Sequence, residues 1–304
     1  MSEEKIRGVL APLLTPFDDD LAIATDLYVE HAQRLLDQGC GGLVPFGTTG
    51  EALSVGIDER IVAISSLIEG GVDPARMMPG AGVSNLADTA RLSRACLDLG
   101  CNAVLVLPPF YFKAVSDAGL YEYFARLVDA IGDDARIVLY HIPPIAIVGI
   151  SPELAARLHA DFPQQIVGIK DSSGDWDNTC ALLEIEGLTV YPGSELTLLE
   201  AMKLGAPGCI SATANVNAAA ISEVASAFLS GNTERAEKLH GPVREFRLRL
   251  QDYAPIPAQK RLIALASGDD RWANVRPPLL PMPAAEGRDL AGKLQRDFRF
   301  DIKL

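Results

Sequence analysis

The chain has 304 residues, of which 48% are hydrophobic and 22% are charged, and its formal net charge is −13. This composition is typical of a soluble globular protein with a large core, and one α/β barrel with an appended segment accounts for the length. The acidic balance argues against nucleic acids and anionic membrane surfaces as partners, because both bind clustered Lys and Arg side chains.

The cysteines and the amino terminus indicate a cytoplasmic protein. The first residues are acidic and lack the basic region and long apolar core of a signal peptide. No apolar run approaches the roughly 20 residues that span a bilayer. The five cysteines are scattered and form no C-x-x-C pair, and the four histidines show no metal-ligand spacing, so we predict neither a disulfide framework nor a metal.

Eight short apolar runs recur along the chain, and each precedes a segment with helical periodicity. Alternating strands and helices predict a parallel sheet covered by helices, and eight such units predict an α/β fold of the (β/α)8 TIM barrel type. The runs occupy residues 8–10, 42–46, 77–81, 103–107, 136–140, 166–169, 189–191 and 208–211.

About 90 residues follow the eighth run, and they also show helical periodicity. We expect them to pack on the barrel as additional C-terminal helices, with a turn containing prolines at residues 254–257. The predicted organisation is a barrel catalytic domain at residues 1–215 and a C-terminal helical extension at residues 216–304.

Lys170 is the most informative candidate for chemistry. It ends the sixth apolar run and is followed by Asp-Ser-Ser-Gly, so it lies at the carboxyl end of a strand, where barrels of this type carry their active sites. Burial disfavours the charged form of an amine, and a neutral amine can attack a carbonyl. For a single lysine, the alternative is a side chain that extends to solvent.

Other strand ends supply what an amine nucleophile needs. The Gly-Thr-Thr-Gly-Glu sequence at residues 47–51 offers hydroxyls and backbone amides for a small carboxylate, although it could also be a plain turn. Tyr111 follows the fourth run, and Tyr140 ends the fifth. A carbinolamine pathway requires an amine, a phenol that moves protons and a site that holds the substrate's carboxylate, and this set contains all three.

The motifs together resemble the dihydrodipicolinate synthase and N-acetylneuraminate lyase family of class I aldolases, over nearly the whole chain. They are Gly-Thr-Thr-Gly-Glu at residues 47–51, Tyr-His-Ile-Pro at 140–143, Gly-Ile-Lys-Asp-Ser-Ser-Gly at 168–174 and Thr-Ala-Asn at 213–215.

The resemblance implies a role for each matching residue. Lys170 would form a Schiff base with pyruvate or another 2-oxo acid, without any other cofactor, and Tyr140 would relay protons. Thr48 and Thr49 would bind the substrate carboxylate, and Thr48 would also link to Tyr140. Tyr111 would reach into the site of an adjoining subunit, which implies a homodimer or a homotetramer.

Further pocket residues follow from the same resemblance. Gly193 and Ile210 would line the pocket by their backbones. Ser172 and Glu195 resemble the polar residues with which lyase-type members bind the hydroxyls of sugar acids. The alternative for Glu195, together with the preceding Ser194, is helix N-capping.

One position departs from the pattern. Dihydrodipicolinate synthases carry an arginine, which receives the carboxylate of the aldehyde substrate, where this chain has Ile145. An uncharged isoleucine cannot form the two parallel hydrogen bonds that an arginine guanidinium donates to a carboxylate. A glycine expected shortly afterwards is replaced by Ile147, so we expect this loop to be more apolar and differently shaped.

The leading hypothesis is therefore a pyruvate-dependent class I aldolase that cleaves or condenses a 2-keto-3-deoxy sugar acid or a related 4-hydroxy-2-oxo acid, with pyruvate and an aldehyde as its small-molecule partners. The alternatives are a 4-hydroxy-tetrahydrodipicolinate synthase, a dehydratase acting through the same Schiff base, and a non-catalytic sensor that retains the pocket. The sequence leaves the aldehyde, the stereochemistry and the physiological direction open.

Overall fold

The computed structural model describes residues 5–300, which form a barrel of parallel strands surrounded by helices. The strands are β1 Gly8–Ala11, β2 Gly42–Leu43, β3 Val104–Val106, β4 Ile137–His141, β5 Ile166–Asp171, β6 Thr189–Pro192 and β7 Gly208–Ile210. The helices are α1 Thr25–Asp37, α2 Ile57–Glu69, α3 Leu86–Asp98, α4 Asp117–Ile131, α5 Pro143–Ala146, α6 Pro152–Asp161, α7 Trp176–Leu183, α8 Leu198–Lys203, α9 Ala214–Leu229, α10 Thr233–Leu250, α11 Pro255–Ser267 and α12 Ala284–Phe298.

The strands pair in the orders β2-β1-β7 and β3-β4-β5-β6, and every pair is parallel. Residues 77–81 join the two groups, because Met78 N donates to Leu43 O at 2.9 Å and Leu105 N donates to Pro79 O at 2.8 Å. β6 packs beside β7. The predicted (β/α)8 barrel is confirmed, although the third apolar run forms isolated bridges instead of a regular strand.

Alternation along each strand separates two layers of core. Leu10, Val138 and Ile210 point into the barrel, whereas Val9 and Cys209 pack between the barrel and its helices. All of these side chains are buried. Burial of both faces explains why the strands are continuous apolar runs in the sequence.

The C-terminal helices follow without a break. α9 packs against β1, and residue 215 lies inside it, so the predicted boundary at residues 215 and 216 falls within a helix. α11 begins at Pro255, earlier than the sequence suggested, because proline is well tolerated in the first turn of a helix. The division into a barrel and an extension stays a prediction.

Asn215 explains the Thr-Ala-Asn motif at residues 213–215 structurally. Its Oδ1 accepts hydrogen bonds from Leu14 N at 3.0 Å and from His31 Nε2 at 2.9 Å, and its Nδ2 donates to Pro12 O at 2.9 Å. This buried amide ties the start of α9 to the segment after β1. Between residues 5 and 300, no helix is both long and apolar enough to cross a membrane.

Candidate active site

Lys170 and Tyr140 lie side by side at the carboxyl ends of β5 and β4. Regular parallel pairing does not produce this arrangement, because the register runs from Ile137 opposite Ile166 to Val138 opposite Gly168 and skips Val167. Beyond this irregularity, Tyr140 pairs directly with Lys170. The extra residue in β5 therefore places the lysine opposite the tyrosine.

Three side chains form a continuous polar chain at this point. Lys170 Nζ donates a hydrogen bond to Tyr140 OH at 3.3 Å, and Thr48 Oγ1 lies 3.2 Å from the same phenol oxygen. Lys170 is only 4% exposed, so it does not extend to bulk solvent. The predicted amine and phenol are thus in contact, with one predicted carboxylate-binding threonine beside them.

The loop that carries Thr48 and Thr49 is held tightly. Thr15 Oγ1 donates to Gly50 O at 2.8 Å, and a Cβ atom at Gly50 would lie 2.7 Å from Leu13 O. Phe46 and Glu51, at either end of the loop, both have a φ of 55°, which is uncommon outside glycine. Strained backbone of this kind concentrates at ligand-binding sites, where the surrounding structure fixes it.

A buried ion pair, which the sequence did not reveal, holds the end of this loop at Glu51. Lys260 of α11 contacts the carboxylate of Glu51, and both side chains are fully buried. Lys260 Nζ also donates to Asn274 O at 2.7 Å, and the second oxygen of Glu51 accepts from Arg276 N at 2.9 Å. Burial lowers the pKa of Lys260 to about 8, although Glu51 acts in the opposite direction.

Asp171 fixes the end of the strand that carries the lysine. Its carboxylate accepts hydrogen bonds from Ser173 N at 2.9 Å, from Asn178 Nδ2 at 3.1 Å and from Thr179 Oγ1 at 2.6 Å. The sequence indicated only a turn here, because the hydroxyl partner comes from the following helix. Asp171 thus holds the backbone next to Lys170.

Ser172 and Gly193 lie against each other beside the site. Gly193 N donates to Asp171 O at 2.6 Å, and a Cβ atom at position 193 would overlap Ser172 Oγ. The close approach explains the glycine. Ile210 is fully buried in the barrel interior.

Glu195 is fully buried and faces Ser211, which donates a hydrogen bond to its Oε2. Its carbonyl accepts from His240 Nε2 at 2.7 Å. Among the described residues, Oε1 has no protein hydrogen-bond partner. Ser194 Oγ accepts from Leu196 N at 3.2 Å, which matches the capping alternative for that serine.

A cavity of about 380 Å³ opens beside Thr48 and Tyr140. Apart from these two residues, Ser54 and the ion-paired Glu51, its wall consists of apolar side chains and glycines. No lysine or arginine lines it within residues 5–300. The apolar side chains include Leu53, Leu107, Phe110, Ile142, Ile145 and Leu279.

Tyr111 lies away from this cluster. It is 76% exposed, and its ring packs edge-on against Phe112 at 5.5 Å. Within one protomer it does not join the chain of Lys170, Tyr140 and Thr48. In the part of the chain from residue 5 to residue 300, no three His, Cys, Asp or Glu side chains are grouped as a metal site would require.

Known proteins resemble this chain over most of its length. A family model described as the dihydrodipicolinate synthetase family matches residues 5–296. An uncharacterized DapA-like lyase of Chloroflexus aurantiacus is 33% identical over 293 residues, which cover 95% of this chain and 96% of that protein. The 4-hydroxy-tetrahydrodipicolinate synthase of Mycobacterium leprae is 33% identical over 290 residues, with 94% and 93% covered. The crystal structure of dihydrodipicolinate synthase from Agrobacterium tumefaciens is 36% identical, with a TM-score of 0.89, and the match covers 97% of this chain and 100% of that one.

Proposed function

We propose a reaction for this chain from the premise that it belongs to the dihydrodipicolinate synthetase family, whose members are lyases and synthases. The enzyme is a class I aldolase that forms a Schiff base between Lys170 and pyruvate, or another 2-oxo acid. It cleaves or condenses a 4-hydroxy-2-oxo acid, a class that includes the 2-keto-3-deoxy sugar acids. The observation that carries the proposal is the buried contact of Lys170 Nζ with Tyr140 OH at 3.3 Å.

The geometry supports a complete sequence of steps. The neutral amine of Lys170 attacks the C2 carbonyl, and Tyr140 moves protons as the carbinolamine loses water to give the iminium. The loop with Thr48 and Thr49 holds the carboxylate. Tyr140 then takes the proton of the 4-hydroxyl, the C3–C4 bond breaks, and its electron pair forms an enamine. Protonation at C3 and hydrolysis release pyruvate, and the other product is an aldehyde.

A 4-hydroxy-tetrahydrodipicolinate synthase is the second candidate, because the relative from Mycobacterium leprae is an enzyme of that name. Ile145 counts against it: this side chain lines the cavity, and among residues 5–300 no lysine or arginine lines it to receive the carboxylate of aspartate semialdehyde. Robust turnover of aspartate semialdehyde with pyruvate, and none with 4-hydroxy-2-oxo acids, would favour the synthase. A dehydratase acting through the same Schiff base would release no aldehyde.

Borohydride trapping tests the nucleophile directly. We expect reduction in the presence of pyruvate to add the mass of one reduced pyruvate to the intact protein. Lys170→Ala should abolish the adduct, whereas Lys203→Ala, which removes a lysine from an exposed salt bridge, should retain it. An adduct that survives Lys170→Ala would falsify the assignment.

Gly193, Ile210 and Tyr111 keep their expected roles within this proposal. Gly193 and Ile210 contribute backbone to the pyruvate end of the pocket, and Ser172 and Glu195 stand near it. Tyr111, exposed in one protomer, completes the site of a second copy in a dimer or tetramer. The free cysteines are compatible with a cytoplasmic location.

A further inference from the structure

We infer that the aldehyde half of the substrate is uncharged and apolar, with an aromatic or branched aliphatic group on C4 of the 4-hydroxy-2-oxo acid. This inference rests on the Schiff-base reaction proposed above and narrows its substrate class. In that reaction the C3–C4 bond breaks, the hydroxyl proton passes to Tyr140, and the fragment that leaves is the aldehyde R–CHO. The group R occupies the space beyond Tyr140.

The wall of that space is apolar. The cavity beside Tyr140 and Thr48 is lined by Leu107, Phe110 and Ile142 inside and by Leu53 and Ile145 at its mouth. In a single protomer Leu53 and Ile145 are each 62% exposed, so binding of an apolar group against them would remove apolar surface from water on both the ligand and the protein. An aromatic ring or a branched alkyl chain matches this wall.

A carboxylate on the aldehyde finds no partner in the same wall. No lysine or arginine lines the cavity in the described part of the chain. The one charged residue among the described residues of this wall is Glu51, whose carboxylate is engaged with Lys260 and with Arg276 N. A second carboxylate would therefore lose water without gaining a charged hydrogen bond, which is costly.

A polyhydroxylated chain is also poorly matched. Within one protomer, and among the described residues, Ser54 is the one hydroxyl-bearing residue of the cavity wall besides Thr48 and Tyr140, which serve the reacting centre. Ser172 and Glu195, the residues that the sequence suggested for sugar hydroxyls, are not part of this wall, and neither is Lys170, which meets the C2 end of the substrate. Glu195 is instead fully buried against Ser211. Sugar hydroxyls buried here would remain unpaired, and unpaired polar groups reduce affinity strongly.

A panel of substrates tests the inference with the full-length enzyme. The substrates share the 4-hydroxy-2-oxo acid head and differ only in the C4 group: phenyl, isopropyl, dihydroxyethyl or carboxymethyl. Pyruvate release is followed by coupled reduction to lactate. We expect kcat/KM to be at least about tenfold higher for phenyl and isopropyl than for the other two, which is the discrimination that a few hydrophobic contacts supply. Equal or higher kcat/KM for the hydroxylated or carboxylated substrate overturns the inference.

Two matched variants locate the effect in the cavity. Ile145 and Ile147 lie in one loop and are 62% and 64% exposed, but only Ile145 lines the cavity. Ile145→Arg should lower kcat/KM for the phenyl substrate about tenfold. It should raise kcat/KM for the carboxymethyl substrate, because the guanidinium can donate two hydrogen bonds to the carboxylate. Ile147→Arg should change neither. The same change of preference in both variants would contradict the placement of R.

Borohydride trapping with pyruvate distinguishes a failure of the apolar-aldehyde preference from a failure of the Schiff-base reaction. An adduct on Lys170 without the expected preference overturns the apolar aldehyde but leaves the aldolase reaction standing. No adduct overturns both. Adduct formation in Ile145→Arg and Ile147→Arg also shows that these variants are folded at the pyruvate end.

Discussion

Replacing Lys260 with methionine should weaken both the fold and the binding of pyruvate. Methionine keeps much of the length of the side chain but removes the ammonium that contacts Glu51, and both side chains are fully buried. The carboxylate of Glu51 then keeps Arg276 N, at 2.9 Å, as its remaining donor. Glu51 lies two residues beyond Thr49, so a shift of its side chain moves the carboxylate-binding loop.

The size of the effect follows from the burial of the pair. Breaking a buried ion pair by removing one partner costs about 3–5 kcal/mol, because the other charge stays buried without compensation. With an unfolding entropy of about 2.1 cal/mol/K per residue, this loss lowers the melting temperature of a chain of 304 residues by about 5–8 °C. The double variant Glu51→Gln with Lys260→Met removes both charges, so it should lose less than the two single variants added together.

Urea unfolding and the KM for pyruvate measure both effects in the wild type, in the single variants Lys260→Met and Glu51→Gln, and in the double variant. We expect Lys260→Met to raise this KM by more than it lowers kcat, since the reacting groups stay in place. Ser267→Ala, at the end of the same helix, is a control that should leave KM unchanged. The free energy of unfolding could fall by less than about 1 kcal/mol in Lys260→Met, with no smaller combined loss in the double variant. That result would refute a stabilising role for the buried ion pair. An unchanged KM would refute the link to the loop.

Three further outcomes are expected. Tyr140→Phe should lower kcat by about 10²- to 10⁴-fold but leave pyruvate affinity much less affected, because it removes a proton relay and not the carboxylate site; equal losses in steady-state kinetics would count against that role. Thr48→Val should lower kcat about tenfold and Thr48→Ser should restore it, since the serine hydroxyl can also reach Tyr140 OH; full activity of Thr48→Val would show that the 3.2 Å contact is not used. Burial lowers the pKa of His31 to about 3, so between pH 6.5 and pH 3 the unfolded chain binds a proton that the folded chain does not, and the free energy of unfolding falls as the pH is lowered. Urea unfolding should show a loss of about 2 kcal/mol from pH 7 to pH 5, and His31→Gln should reduce that loss; an identical pH dependence in the variant would exclude His31 as its source.

Contacts between neighbouring strands were predictable, whereas contacts between distant segments were not. The carboxyl ends of parallel strands meet at one edge, so Tyr140 and Lys170 could be expected to approach each other. Seven of the eight apolar runs are strands. The third contains Pro79, which has no backbone N–H to donate, and it forms isolated bridges.

The ion pair of Lys260 and Glu51 illustrates what the sequence could not show. The two residues are 209 positions apart, and neither lies in a pattern that names the other. Ile147 is a second example: it takes a φ of 66°, an unusual conformation for a β-branched residue, at a position where the sequence suggested only a change of loop shape.

Val167, the residue that the pairing of β4 and β5 skips, determines which side chains of β5 face the barrel interior. Side chains of a strand alternate between two faces, so a shift of one residue exchanges the two sets. With regular pairing from Ile137 and Ile166 onward, Tyr140 would stand opposite Ile169, and Lys170 would face the outer helices. A single surplus residue at the opposite end of the strand thus decides which side chain the substrate meets, although Val167 itself is not a residue of the site.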